Sequence, residues 1–227
     1  MSRIFAVFRA ATIVFCPPIC YNISCAHLRG EHIFMEQFYA YLDRMKFIKR
    51  WQLMRSVRDE NIMEHSHSVA VLTHALVCIE NGVFGGHIDA EKAVFYALYH
   101  EVSEVMTGDL PTPVKYFNNS IHGEYEKLEK LAVEKIADTL PPELKKELYP
   151  YLQAEKHSDE YRFVKAADKL SAYIKCLEEL RSGNREFAQA ERTLHESLEH
   201  MELRAVAYFF EHFIPAFSLS LDELEGL

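Results

Sequence analysis

The sequence predicts an all-α fold, a compact array of several helices. From Met35 onward, apolar residues recur at three- and four-residue intervals over most of the chain. No stretch alternates apolar and polar residues as a half-buried strand does, and prolines and glycines divide the chain into pieces of helical length. With 227 residues, 49% of them hydrophobic, the chain suits one domain with a sizeable core.

The first 34 residues differ from the rest. Arg9 and the pair Pro17-Pro18 interrupt an apolar run, which is too short to span a membrane. Two interpretations stay open, a signal peptide and an extension upstream of a true start at Met35, and the second is favoured. We therefore expect residues 1–34 to lie outside the fold, with one domain over 35–221 and a loose acidic tail over 222–227.

The early helices are predicted in order. The first carries Phe38 and Met45 on its apolar face and is followed by an irregular loop that reaches Asn61. The second covers 63–81 and is ended by glycines. The third begins at the capping residue Asp89 and ends at Gly108.

The later helices follow a loop over 109–113, predicted because two prolines two residues apart do not suit a helix interior. Further helices are then expected, which cover 121–140, 142–149, a short piece to Glu155, 158–180 and 185–213.

The third helix carries the side chains best suited to bind a metal or transfer a proton. His100 and Glu104 are four residues apart and are expected on one helical face, with Glu101 beside them. The residues before them are apolar, so this helix is expected to run through the interior. Buried carboxylates without partners cost several kcal/mol, and a bound cation would offset that cost.

Two other predicted helices offer ligands of the same kind. His65 lies in the second helix, and Asp168 lies among apolar residues of a later one. Two imidazoles and two carboxylates suit Mn²⁺, Co²⁺, Fe²⁺ or Zn²⁺. A single His on a helix is usually structural, so the hypothesis depends on the combination.

The net charge and the composition of the chain argue against several classes of function. The net charge of −9 disfavours nucleic-acid binding, and no glycine-rich phosphate loop is present. The five cysteines show no paired spacing, so we expect a reducing cytoplasm; Cys78 and Cys176 are interpreted as core residues. We expect no membrane partner.

From Met35 to about Leu221 the chain resembles the bacterial HD-domain 5′-deoxynucleotidases, cytoplasmic phosphohydrolases of deoxyribonucleoside 5′-monophosphates. Four pieces of sequence carry the resemblance: Arg50-Trp51, Glu64-His65-Ser66, the run 103–117 and the run 175–180. The resemblance implies an HD-domain-like helical array, a homodimer, and a divalent cation such as Co²⁺, Mn²⁺, Zn²⁺ or Cu²⁺.

The metal ligands implied by the resemblance are His65, His100, Glu101 and Asp168. Glu101 stands where the family has Asp, and its extra methylene moves the ligating oxygen by about 1.5 Å. Three outcomes stay open: the surroundings adjust and activity survives, the site is weak and slow, or the chain is an inactivated variant.

The resemblance also implies the remaining roles. Glu104 would act as general acid and base, Arg50 would bind the 5′-phosphate, and Trp51 would help to exclude a 2′-hydroxyl. The residues implied to line the substrate pocket are His65, Asp109, Leu110, Pro111 and Thr112. Two alternatives stay open: a phosphohydrolase of nucleoside triphosphates or alarmones, and a non-catalytic nucleotide-binding protein with an impaired metal site.

Overall fold

A computed structural model describes residues 36–115 and 117–226, and over these residues the protein is helical. The α-helices are α1 Phe38–Asp43, α2 Ile62–Phe84, α3 Ala90–Tyr99, α4 Glu104–Thr107, α5 Thr112–Lys115, α6 Asn119–Ala137, α7 Pro142–Leu152, α8 Asp159–Arg181, α9 Ala188–Glu199, α10 Arg204–His212 and α11 Leu221–Glu225. The described ranges contain no strand, only an antiparallel bridge between Lys49 and Asn61. The predicted all-α class is confirmed, whereas the prediction for residues 1–34 lies outside the described residues.

Helices α2 and α8 are the two longest and form the centre of the main core. The Asn61 side chain caps α2 by accepting from the backbone N–H groups of Met63 and Glu64, and Ser158 caps α8. Gly85 ends α2 in the left-handed conformation, at φ 69°. The main core combines buried residues of α2, α3, α8, α9 and α10.

A second, smaller core lies against α1, α6 and α7. It contains the buried residues Phe38, Val102, Ile136 and Leu152. Val102 belongs to the turn that follows α3, and Ala97, five residues earlier, belongs to the main core. The polar segment around His100 is therefore held between two apolar clusters.

The prediction that one continuous helix carries His100, Glu101 and Glu104 is wrong. Helix α3 ends at Tyr99, and a turn separates it from the short helix α4. The turn is tightened by bonds over three residues, from Val102 N to Tyr99 O and from Glu104 N to Glu101 O. Gly108 ends α4 at φ 71°, in agreement with its predicted role as a terminator.

Other differences lie at helix boundaries. The predicted loop over 109–113 contains the start of α5, because Pro113 occupies a first-turn position where a missing N–H is tolerated. Helix α7 continues through Pro150 to Leu152. The predicted helix over 185–213 is broken before α10, where Glu202 has φ 51°.

Two further expectations are wrong. The acidic tail is not wholly loose, since Ser220 and Glu223 form a capping box at the start of α11. Cys176 is buried as expected, but Cys78 is exposed.

Helix α2 is long and apolar enough to cross a membrane by length and composition alone. It nevertheless buries Val69, Leu76 and Val77 completely in the main core and exposes Glu64 and His67. These features are those of a core helix.

Candidate active site

The four predicted metal ligands come together in the structure. His65 is supplied by α2, His100 and Glu101 by the turn after α3, and Asp168 by α8. Their ligand atoms all lie within 4.8 Å of one another. Nε2 of His65 is 3.1 Å from Oδ1 of Asp168, and Nε2 of His100 is 3.2 Å from Oε1 of Glu101. The extra methylene of Glu101 therefore does not take its carboxylate out of the cluster.

The hydrogen bonds of the two imidazoles fit a bound cation. Nδ1 of His100 lies 2.6 Å from the carbonyl oxygen of Ala97, to which it can donate. Nε2 of His100 is buried and, among the described residues, has the Glu101 carboxylate beside it but no hydrogen bond of good geometry. Nδ1 of His65 lies 3.2 Å from the hydroxyl of Ser171. The carbonyl of Ala97 can only accept, so His100 carries a proton on Nδ1, which leaves its Nε2 able to ligate a cation. The Ser171 hydroxyl can donate or accept, so it can take a proton from Nδ1 of His65 when Nε2 of that ring ligates a cation.

The charges of the cluster act strongly on one another. Burial and the nearby Arg50 lower the pKa of His65. Burial also lowers the pKa of His100, but the adjacent Glu101 outweighs it and the net pKa is raised. The carboxylates of Glu101 and Asp168 have lowered pKa values despite burial, because of His100 for the first and of Lys165 for the second. Both are therefore anionic at neutral pH and available to a cation.

Glu104 lies beside this cluster and, unlike Glu101 and Asp168, has a raised pKa. Its side chain is buried, and its Oε2 atom makes no hydrogen bond. Burial, followed by the negative charges of Glu101 and Asp109, raises its pKa to about 11. The nearby Arg50 does not offset burial and the repulsion by Glu101, so Glu104 keeps the proton and Glu101 keeps the charge.

A cavity of about 460 Å³ opens onto these groups. Of the residues predicted from the sequence, those that line it are Arg50, His100, Glu101, Glu104, Asp109, Leu110, Thr112 and Asp168. Trp51 and Pro111 are not in this lining, and His65 is fully buried. The volume is within the usual range for small-molecule sites.

Arg50 and Trp51 lie side by side next to the cavity. Nη1 of Arg50 is 3.9 Å from Oε1 of Glu101. Burial lowers the pKa of Arg50, but the negative charges around it, first that of Glu101, outweigh burial and raise the net pKa. The Trp51 ring centroid is 5.2 Å from that of Phe187, and Trp51 has an unusual positive φ of 59°. Glu60 accepts hydrogen bonds from both side chains.

Lysines also line the cavity, and two of them, Lys156 and Lys165, were not singled out from the sequence. Lys165 donates to Oδ2 of Asp168 at 3.1 Å. Lys156 is paired with Glu126, and Lys115 with Glu129. Lys165 lies three residues before Asp168 on α8, and Ser171 three residues after it, so helical spacing alone would have placed both near this ligand.

One face of α8 also holds the loop that precedes α2. Asp168, Ser171, Lys175 and Glu179 follow at steps of three or four residues and share this face. Lys175 donates to the Arg58 carbonyl, and the Glu179 carboxylate accepts from the backbone N–H groups of residues 57 and 58. We call these four residues the polar face of α8.

Two comparisons with known proteins indicate the family of the chain. The sequence model of a family described as 5′-deoxynucleotidase YfbR-like matches residues 37–217. The 5′-deoxynucleotidase YfbR of Escherichia coli is 50% identical over 188 residues, which cover 82% of this chain and 94% of the relative. The chain belongs to the YfbR-like 5′-deoxynucleotidase family.

Solved structures support the fold of this YfbR-like chain. An HD-domain phosphohydrolase of Listeria innocua has a TM-score of 0.71 at 20% identity and covers 83% of this chain and 92% of its own. The HD phosphohydrolase DatZ of cyanophage S-2L, bound to dA and one catalytic Zn²⁺, has a TM-score of 0.52 at 22% identity, with coverages of 78% and 95%. The predicted HD-type helical array is confirmed.

Proposed function

We propose that this protein is a metal-dependent 5′-deoxynucleotidase, which hydrolyses deoxyribonucleoside 5′-monophosphates to deoxyribonucleosides and inorganic phosphate. The observation that carries the proposal is the convergence of His65, His100, Glu101 and Asp168 within 4.8 Å, beside a cavity that Glu104 and Arg50 line. The activity named for the relative of Escherichia coli supports this assignment.

A divalent cation is the expected cofactor, held by the two histidines and the two carboxylates. When bound, it supplies Lewis acidity that makes a water more acidic and offsets charge on the phosphate. The Zn²⁺ in DatZ favours zinc among the candidates Co²⁺, Mn²⁺, Zn²⁺ and Cu²⁺.

The chain's own residues supply the remaining steps. Arg50 presents a guanidinium that can bind two phosphate oxygens at once and stabilise the charge that develops on them. A cation bound beside Glu104 would favour its ionised form. The Oε2 atom of that carboxylate would orient the attacking water, take a proton from it and return a proton to the departing 5′-oxygen. The water oxygen bonds to phosphorus as the bond to the 5′-oxygen breaks, so atoms and protons balance.

The charges at the cavity support a monophosphate rather than a triphosphate or alarmone substrate. Four lysines line the cavity, and three of them, Lys115, Lys156 and Lys165, each form an ion pair with a carboxylate, at 2.7, 2.8 and 3.1 Å respectively. These pairs reduce the positive charge available to a longer phosphate tail. Trp51, next to Arg50, is proposed to restrict the 2′ position of the sugar.

The proposal is tested by phosphate release from dAMP, AMP and dATP with Zn²⁺, Mn²⁺ or Co²⁺ added in turn. We expect dAMP to be hydrolysed in preference to the others. Replacement Glu104→Gln keeps the side-chain shape and is expected to lower kcat about 100-fold or more. Absence of phosphate release from every deoxynucleotide with every metal would refute the proposal, and activity gained only by Glu101→Asp would instead indicate an impaired site.

We further propose that the protein acts as a homodimer in the cytoplasm. Sedimentation equilibrium of the full chain tests the first point, and cell fractionation tests the second.

A further inference from the structure

Glu60 has no role in the chemistry described so far, yet it contacts two residues that the proposed function uses. Its Oε2 atom accepts one hydrogen bond from Nε of Arg50 at 3.1 Å and another from Nε1 of Trp51 at 2.9 Å. The Glu60 side chain is 14% exposed and that of Arg50 is 13% exposed. A single carboxylate oxygen therefore joins the guanidinium to the indole in a largely water-excluded place.

The backbone reinforces this connection. Arg50 N donates to Glu60 O at 2.9 Å, and Ile62 N donates to Ile48 O at 3.0 Å, so residues 48–62 are closed at their base like a hairpin. Trp51 is one of two non-glycine residues with positive φ in the described ranges. Such a conformation costs free energy and persists only where surrounding contacts hold it, and the bond to Glu60 is one such contact.

The orientation of Arg50 follows from the same contact. Because Nε of Arg50 is directed to Glu60, the two terminal nitrogens remain for the cavity side, where Nη1 approaches Glu101. Two terminal N–H groups in one plane are what a phosphate accepts in bidentate fashion. Glu60 is not among the residues that line the cavity, and its side-chain hydrogen bonds reach this region through Arg50 and Trp51.

We propose that Glu60 is a positioning residue for nucleotide recognition: its carboxylate holds Arg50 and Trp51 in one mutual orientation, and so couples the phosphate contact to the sugar contact. The proposal rests on the proposed function, in which these two residues face the phosphate and the sugar. It assigns Glu60 a role in binding and leaves the catalytic groups around Glu104 independent of it.

The test compares the full-length protein with Glu60→Gln and with the control Asp59→Asn. Gln keeps the size and one acceptor oxygen but removes the negative charge, and Asp59 is an exposed neighbour paired only with the exposed Lys49 in the ion pairs of the described residues. Because Trp51 is the only tryptophan of the chain, fluorescence reports its surroundings without interference. The measurements are kcat and KM for dAMP and AMP, and Trp51 emission with acrylamide quenching.

We expect Glu60→Gln to raise KM for dAMP about tenfold, to change kcat less than threefold and to lower the preference for dAMP over AMP. Trp51 emission should shift to longer wavelength with stronger quenching, and Asp59→Asn should behave as wild type. An unchanged KM, or an unchanged Trp51 emission, in Glu60→Gln would overturn the proposal.

The two hypotheses fail separately. If the wild-type protein hydrolyses no nucleotide, the proposed function is refuted, but the fluorescence comparison still tests whether Glu60 holds Trp51. A far-ultraviolet circular dichroism spectrum establishes that Glu60→Gln is folded, and Glu60→Asp, which keeps the charge, should recover part of the lost affinity.

Discussion

Single hydrogen bonds orient the two histidines that are proposed as metal ligands. His100 directs Nδ1 to a backbone carbonyl, which no side-chain substitution removes. His65 relies on the hydroxyl of Ser171, a buried side chain of α8. The orientation of one ligand is thus determined by the backbone and that of the other by one replaceable side chain.

Replacement Ser171→Ala is predicted to weaken Zn²⁺ binding by about 10- to 100-fold, because Nδ1 of His65 loses the hydrogen-bond partner that orients the ring. Isothermal titration calorimetry against a competing chelator measures the effect. Ser66→Ala is the matched control. Ser66 follows His65 in the sequence and is also buried, but its hydroxyl makes no hydrogen bond within the described part of the chain. Equal affinities of the two variants would contradict the prediction.

At this scale the sequence predicts residue types better than partners. The proposed ligands His65, His100, Glu101 and Asp168 could be identified because imidazoles and acids stood out in apolar helices and matched a family pattern. Glu60 could not, because its partners lie nine and ten residues away across an irregular loop. Such contacts leave no periodic signal in the chain.

The polar face of α8 connects the candidate site to the loop before α2. The buried pair Lys175 and Glu179 lies at its far end, and Asn184 also donates to Glu179. A buried carboxylate with several donors stays ionised, so the pKa of Glu179 is lowered from 4.5 to about 2 despite burial, chiefly by Lys175.

Replacement Glu179→Gln is predicted to lower the free energy of unfolding by roughly 3 kcal/mol at pH 7. Because the folded-state pKa is depressed, this stabilisation is present above about pH 4.5 and is lost as the pH falls towards 2. Urea unfolding across this range measures it: the difference between wild type and variant should shrink with acidification. The exposed neighbour provides the control Glu178→Gln, and a pH-independent difference would contradict the assignment.

Some helix boundaries can be predicted from local sequence patterns, and others cannot. Asp89 and Ser158 cap their helices as their side chains suggest, through bonds to backbone N–H groups three residues on. The breaks at 100–103 and 200–203 were missed, because i, i+3 backbone bonds and Glu202 at positive φ interrupt helices whose apolar periodicity continues. The first of these turns is stabilised by the burial of Ala97 in the main core and of Val102 in the smaller core, rather than by local helix propensity.

For the whole molecule, the described core begins at Phe38, and the family match begins at residue 37. A chain that starts at Met35 is therefore predicted to keep the Tm and the Zn²⁺ stoichiometry of the full chain. Differential scanning calorimetry and metal analysis of both chains test this. A Tm lower by several degrees in the shorter chain would contradict the proposed extension over residues 1–34.

The polar face of α8 joins the proposed metal ligand Asp168 to the loop that precedes α2. Asp168 and Glu179 are eleven residues apart on one rigid rod, about 16 Å along its axis. Tilting that rod by about 5° around one end displaces the other by roughly 1.4 Å. Repacking a core residue of α8 such as Leu170 would therefore displace both the proposed metal ligand Asp168 and the loop that Glu179 holds, so a redesign of the proposed site for another metal has to preserve the position of that loop as well.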